Sequence, residues 1–168
     1  VNPQSLQGIL ASIEHLGAAL HRATAAEALV TRLEQRQAAI SARVAGLPRP
    51  KVLVVIWYDP VTTAGKNSFV TDVIAAAGGR SLTADIPQPW PQISLEEVLR
   101  RSPDYILLVR HTQRDITEET LLSHAGWNQL GALRNHHVIY VDDRLIHPSP
   151  VVFDAMEELA RELHPQVF

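Results

Sequence analysis

KVLVVIW, residues 51–57, carries no polar side chain after its first residue. A strand with one wet face alternates polar and apolar residues, whereas an unbroken apolar run of this length marks a strand covered on both faces. Tyr105–Val109 reads the same way, and His137–Val141 is a third such run. Between them the spacing changes to that of helices. Asn67–Ala77 places Phe69, Val70, Val73, Ile74 and Ala77 at helical intervals, with Gly78-Gly79 as its stop. Ser94 caps the next helix, and Glu97 three residues on suggests a capping box. Thr117 caps a helix to about Ser123, Trp127–Leu133 suggests a short one, and Val151–Leu163 is the last, entered through Pro148 and Pro150. Strands alternating with helices through short links predict an α/β fold: a Rossmann-like parallel sheet with helices on both faces.

Upstream of Lys51 the pattern is helical throughout. Asn2-Pro3 or Ser5 opens a helix through about Leu16, which Gly17 is expected to close. A second runs from about Arg22 to Ala45, with Leu29, Leu33, Ile40 and Val44 as one stripe and Arg32, Glu34, Arg36 and Arg43 off it. Gly46, Pro48 and Pro50 end it. At roughly 35 Å it is long for a small domain, a length suited to bracing a structure. The chain therefore divides into a helical segment, 1–50, and an α/β unit, 51–168.

Charge follows the same division. Residues 1–50 carry five Arg against three Glu, a balance of +2, and residues 51–168 carry ten Lys/Arg against fifteen Asp/Glu, a balance of −5. An acidic α/β unit argues against nucleic acid as a partner. The sequence has no cysteine, which removes disulfides and thiolate sites from consideration. No apolar run reaches the roughly 18 residues of a membrane span. The chain begins at Val1, without an initiating Met or a signal peptide.

In open parallel sheets, ligands meet the loops beyond the carboxyl ends of the strands. Those loops are WYDPVTTAG (57–65), RHTQRD (110–115) and DDRLIHP (142–148), joined by the proline-flanked PQPWPQ (87–92). Trp57, Tyr58, Trp90, Asp143 and His147 are thus expected at one mouth. TAGKNS (63–68) falls short of a phosphate loop, with Pro60 where its first glycine belongs and Asn67 after the lysine, so it reads as a tight strand-to-helix turn. Ser149, Asp143 and His147 lack the G-x-S-x-G elbow of a serine nucleophile. His136-His137 precedes a strand, where neighbours point to opposite faces, and no metal site is expected from that segment alone. No catalytic residue is assigned.

KVLVVIWYDP (51–60), AGKNSFVTDVIAAAGG (64–79), PWPQISLEEVL (89–99) and SPDYILL (102–108) together resemble the C-terminal lobe of ABC-transporter substrate-binding proteins. The group is the one that binds vitamin B12, haem and ferric siderophores, and the pattern is most similar to its vitamin B12 binders. The resemblance implies a two-lobed, non-enzymatic, periplasmic or otherwise extracytoplasmic protein. It also implies that the N-terminal lobe is absent from this chain and that the long helix is the backbone joining the lobes. It further implies that Trp90 packs against a corrinoid, and that Glu96 docks the lobe onto arginines of an ABC permease, through which alone it meets the membrane. Ile56 and Thr62 stand where the vitamin B12 binders have phenylalanines, so Trp57 or Tyr58 is expected to supply the missing aromatic wall. Asp143 and His147 fall in the ligand loop, where His147 replaces an arginine. A histidine there suits axial ligation of haem iron or cobalt, or a hydrogen bond to the ligand. Haem and ferric siderophores are the alternative ligands. The rival from another class, an α/β metallocluster or sensor enzyme domain, needs cysteines for an iron–sulfur cluster.

Overall fold

Successive residues of the strand at Lys51–Val55 enter two different cores. The computed structural model describes residues 3–110 and 116–168. Four parallel strands form the main sheet: β1 (Lys51–Val55), β4 (Arg80–Ser81), β6 (Tyr105–Arg110) and β7 (Val138–Asp142), in the order β4-β1-β6-β7. Val52, Val54, Leu107, Val109, Ile139 and Val141 pack into one apolar cluster; Leu53, Val55, Ile106 and Leu108 pack into the other. That is the physical meaning of the unbroken KVLVV run: a pleated strand with helices over both faces wants apolar residues at every position.

The first face is covered by α1 (Leu6–Ala19), α2 (Ala23–Arg43), α3 (Phe69–Ala76) and α7 (Val152–Leu163). The second is covered by α4 (Leu95–Arg101), α5 (Glu118–Leu122), a 3-10 turn at Trp127–Gln129 and α6 (Gly131–Arg134). The expected strands and helices are present. Asn2 and His111–Asp115, in the first helix start and the RHTQRD loop, lie outside the described residues.

Two local expectations are corrected. Gly17 does not end α1; it lies inside the helix, buried where α2 passes closest. A Cβ on Gly17 would stand 2.3 Å from the Cβ of Ala26, so the glycine serves a close helix–helix approach. Ser94 caps α4 by accepting the Glu97 N–H at 3.2 Å, but Glu97 does not complete the box. Its carboxylate accepts instead from Arg100 Nε at 2.8 Å and Arg101 Nε at 2.6 Å. Two guanidiniums outcompete one backbone amide for the same charge.

A second, smaller sheet positions the site. The chain leaves β1 through Ile56 into β2 (Trp57–Tyr58), turns through a cis Asp59–Pro60 bond, returns as β3 (Val61–Thr62), and pairs with β5 (Gln92–Ile93) in the order β2-β3-β5. Both pairings are antiparallel and two residue pairs long; β2 and β3 form a tight hairpin, whereas β3 and β5 are far apart in sequence.

Candidate functional site

The prolines around Trp90 fix it through their carbonyls. Thr63 N–H donates to Pro91 O at 3.1 Å, Gly65 N–H to Pro89 O at 3.0 Å and Lys66 N–H to Ile86 O at 2.7 Å. A proline lacks an N–H but keeps its acceptor, so this loop continues the β3–β5 ladder with one side donating. The approach is close enough that a Cβ on Gly65 would lie 2.1 Å from Gln88 O. The glycine of TAGKNS is therefore there for the proline loop, which agrees with the strand-to-helix turn and not with a phosphate cradle.

Register then sorts the side chains. Trp57 stands opposite Thr62, and Thr62 opposite Gln92; Tyr58 stands opposite Val61, and Val61 opposite Ile93. Directly opposed residues project from the same face of a sheet. The hydrogen bonds from Thr63 and Gly65 carry the register onward, setting Trp90 opposite Ala64 on the side of Thr62 and Gln92. The structure thus brings Trp57, Thr62 and Trp90 to one face of the small sheet. Tyr58 belongs to the other face with Val61 and Ile93, although its ring leans within 5.1 Å of the Trp57 ring.

Both indoles are half uncovered: Trp57 is 39% exposed and Trp90 40%. Trp57 Nε1–H donates to Asp59 O at 2.9 Å, fixing the ring over the hairpin turn. Trp90 meets Phe69 edge-on, with ring centroids 6.5 Å apart at 84°. Phe69 was legible as a helix-face residue, but its service as the prop for Trp90 was not. Trp90, Phe69, Pro89, Ile146 and Pro148 border a small hollow of about 110 Å³.

That hollow links Trp90 to the loop after β7. Asp142 Oδ1 accepts the Arg144 N–H at 2.9 Å and caps the 3-10 turn Asp143–Ile146. The Arg144 guanidinium, bonded to the same carboxylate, holds the Asp142 pKa below the ordinary range. Beyond that turn His147 is exposed, its Nε2 3.7 Å from Asp143 Oδ2. Among the described residues, no group of three or more His, Asp or Glu side chains comes together as a metal site. No helix among them is long and apolar enough to cross a membrane.

Glu96 is exposed and forms no ion pair among the described residues. Its neighbours differ: Glu97 is bound to Arg100 and Arg101, and Asp85 to Arg101 at 2.5 Å. Glu96 borders a larger cleft, of about 460 Å³, with Tyr58, Ile93 and His124; Trp90 is not part of it.

A family model described as periplasmic binding protein matches residues 1–145. A vitamin B12-binding protein of Salmonella choleraesuis (strain SC-B67) is 32% identical over 108 residues, covering 64% of this chain and 41% of the relative. An uncharacterized ABC transporter substrate-binding lipoprotein of Bacillus subtilis (strain 168), YvrC, is 25% identical over 170 residues, covering 98% of this chain and 52% of the relative. The periplasmic heme-binding protein RhuT from Roseiflexus sp. RS-1 superposes with a TM-score of 0.83 at 26% identity, covering 99% of this chain and 65% of that one. The chain spans about half the length of the curated relatives it matches.

Proposed function

This chain belongs to the periplasmic binding protein family, and from that premise we propose that it is the ligand-binding C-terminal lobe of an extracytoplasmic capture protein serving an ABC importer. Residues 51–168 form the lobe, and residues 1–50 carry the helix that joins it to a second lobe. The chain holds its cargo without transforming it. The observation that carries this reading is the pair of half-exposed indoles, Trp57 and Trp90, on one face of a rigid small sheet. A large apolar side chain left uncovered by its own fold, and fixed by backbone bonds, is preorganised for a flat apolar partner.

The ligand is a corrinoid, as the names of the vitamin B12-binding relatives support. Trp90 and Trp57 form the aromatic wall, Thr62 lies between them, and Asp143 and His147 reach the ligand's polar edge. The exposed His147 favours haem as the second reading, because an accessible imidazole suits an iron axial position. The partner in transport is an ABC permease, met at Glu96.

The test is a visible absorption spectrum of the two-lobed protein purified from medium containing both cobalamin and hemin. A corrinoid spectrum supports the first reading, and a Soret band the second. A colourless protein that binds neither on addition overturns both.

A further inference from the structure

Among the described residues, no charged side chain borders the Trp90 hollow. Its polar lining is Gln4, Asn67 and Ser68. Ser68 is committed, since its Oγ accepts the Val70 N–H at 3.3 Å and caps α3. Gln4 and Asn67 are exposed, and neither side-chain amide is hydrogen-bonded to another described residue. Gln92 supplies a third such amide, on the sheet face that carries Trp57, Thr62 and Trp90.

The two amides at the hollow stand on anchored backbone. Beside Gln4, Ser5 Oγ accepts the Gly8 N–H at 3.0 Å, and Asp72 of α3 accepts the Leu6 N–H at 3.0 Å. The start of α1 is thereby tied down on α3. Asn67 is bracketed by Lys66 N–H, which donates to Ile86 O at 2.7 Å, and Ser68 N–H, which donates to Gly65 O at 3.2 Å. Asn67 is also the residue that breaks the phosphate-loop pattern of TAGKNS, and it presents an amide where that pattern has a hydroxyl.

A primary amide carries two N–H donors and a carbonyl acceptor, so it pairs with another primary amide in both directions. A carboxylate only accepts, and burying its charge without a cation costs more than burying an amide. The cations of the adjoining loops are placed elsewhere. Lys66 is exposed but does not border the hollow, and Arg144 is held by Asp142 and Glu158. Asp143, in the loop after β7, adds a negative charge to the same mouth.

We propose that Gln4, Asn67 and Gln92 are specificity residues, which select a flat ligand edged with carboxamides over one edged with carboxylates. The inference rests on the capture reading and deepens it. Corrinoids carry acetamide and propionamide side chains and haem carries propionates, so these three amides choose between the two ligands.

The experiment uses a two-lobed protein containing this chain and two ligands built on one macrocycle. Dicyanocobinamide has amide side chains; dicyanocobyrinic acid has free carboxylates. Calorimetric titrations are run in about 1 M salt, where the Debye length is about 3 Å and the protein's net charge is screened. The parent should bind the amide form roughly tenfold tighter or more. Gln4→Met, Asn67→Leu and Gln92→Met should each weaken the amide form roughly threefold to tenfold, the net worth of one neutral hydrogen bond. Asn67→Lys should tighten binding of the carboxylate form, a gain that loss of folding cannot imitate. Equal binding of the two forms by the parent overturns the selection, as does amide-form binding that none of the substitutions weakens; either result leaves the corrinoid reading standing. Binding of hemin but of neither corrinoid overturns the corrinoid reading itself.

Discussion

Gly65 lies beneath Gln88 so closely that a single methyl group on Gly65 would stand 2.1 Å from the Gln88 carbonyl oxygen. Its amide meanwhile holds Pro89 O at 3.0 Å. The position of Trp90 therefore depends on a residue 25 positions upstream having no side chain. Gly65→Ala should destabilise the fold by about 1–3 kcal/mol, the cost of overpacking a well-filled site, and should shift the tryptophan emission. Urea unfolding and fluorescence read both. An unchanged midpoint and an unchanged spectrum would mean that the proline loop is not clamped there.

The helical hairpin makes the same kind of demand at Gly17. Alanine is better than glycine inside a helix by about 1 kcal/mol, so propensity alone predicts that Gly17→Ala stabilises. The added Cβ, however, falls 2.3 Å from Ala26 Cβ, which is fixed to its own backbone and cannot swing away. The helices must separate, at about 1–3 kcal/mol, and the clash should win. A thermal midpoint raised by Gly17→Ala would contradict this packing.

Two carboxylates give the acid response opposite signs. Hydrogen bonds from Arg100 and Arg101 hold the Glu97 pKa at about 2. Its contribution is present above the unfolded carboxylate value of about 4 and is lost as pH falls from there toward 2. Burial raises the pKa of Asp72, against the smaller opposing effect of the Leu6 N–H donated at 3.0 Å. Folding thus favours protonated Asp72, and that contribution fades as pH rises above about 4. Urea midpoints between pH 7 and pH 3 should show Glu97→Gln flattening the acid limb. Asp72→Asn, which keeps an acceptor for Leu6, should raise the midpoint at pH 7. A lowered midpoint at pH 7 for Asp72→Asn would reverse the assignment.

Glu96→Lys changes an exposed residue with no partner among the described residues, so stability should move by no more than about 0.5 kcal/mol. Ligand affinity should hold, because Glu96 is absent from the Trp90 hollow. Transport into proteoliposomes carrying the cognate permease should fall steeply, most of all at low salt, where screening is least. Undiminished transport would return Glu96 to being only a residue at a helix start.

What the sequence disclosed, and what it hid, divides along the physics. β1, β6 and the helices over them were legible because a strand buried on both faces writes itself as a continuous apolar run. The small sheet was not: its strands are two residues long, and residues 57–62 meet Gln92-Ile93 only after α3 and β4 have intervened. Without that register, Trp57 and Tyr58 looked equally suited to the ligand, and the difference between their faces was invisible. Gly17 was misplaced because a helix-ending glycine and one that admits a neighbouring helix carry the same letter. His124 was overlooked because a histidine in a short loop carries no signal until Tyr58 is seen against it.

The central claim is that Trp90 is presented to a ligand rather than to the core, and paired substitutions on the two faces of the small sheet test it most directly. Calorimetric titration with cyanocobalamin should be run on a two-lobed protein containing this chain, comparing the parent protein with Trp90→Ala and with Tyr58→Phe. Trp90→Ala should lose about 1–3 kcal/mol of binding, the loss expected for a well-packed aromatic contact, with little change in unfolding midpoint, since Trp90 is 40% exposed. Tyr58→Phe, on the opposite face, should bind as the parent does. Parental affinity for a folded Trp90→Ala variant would contradict the account.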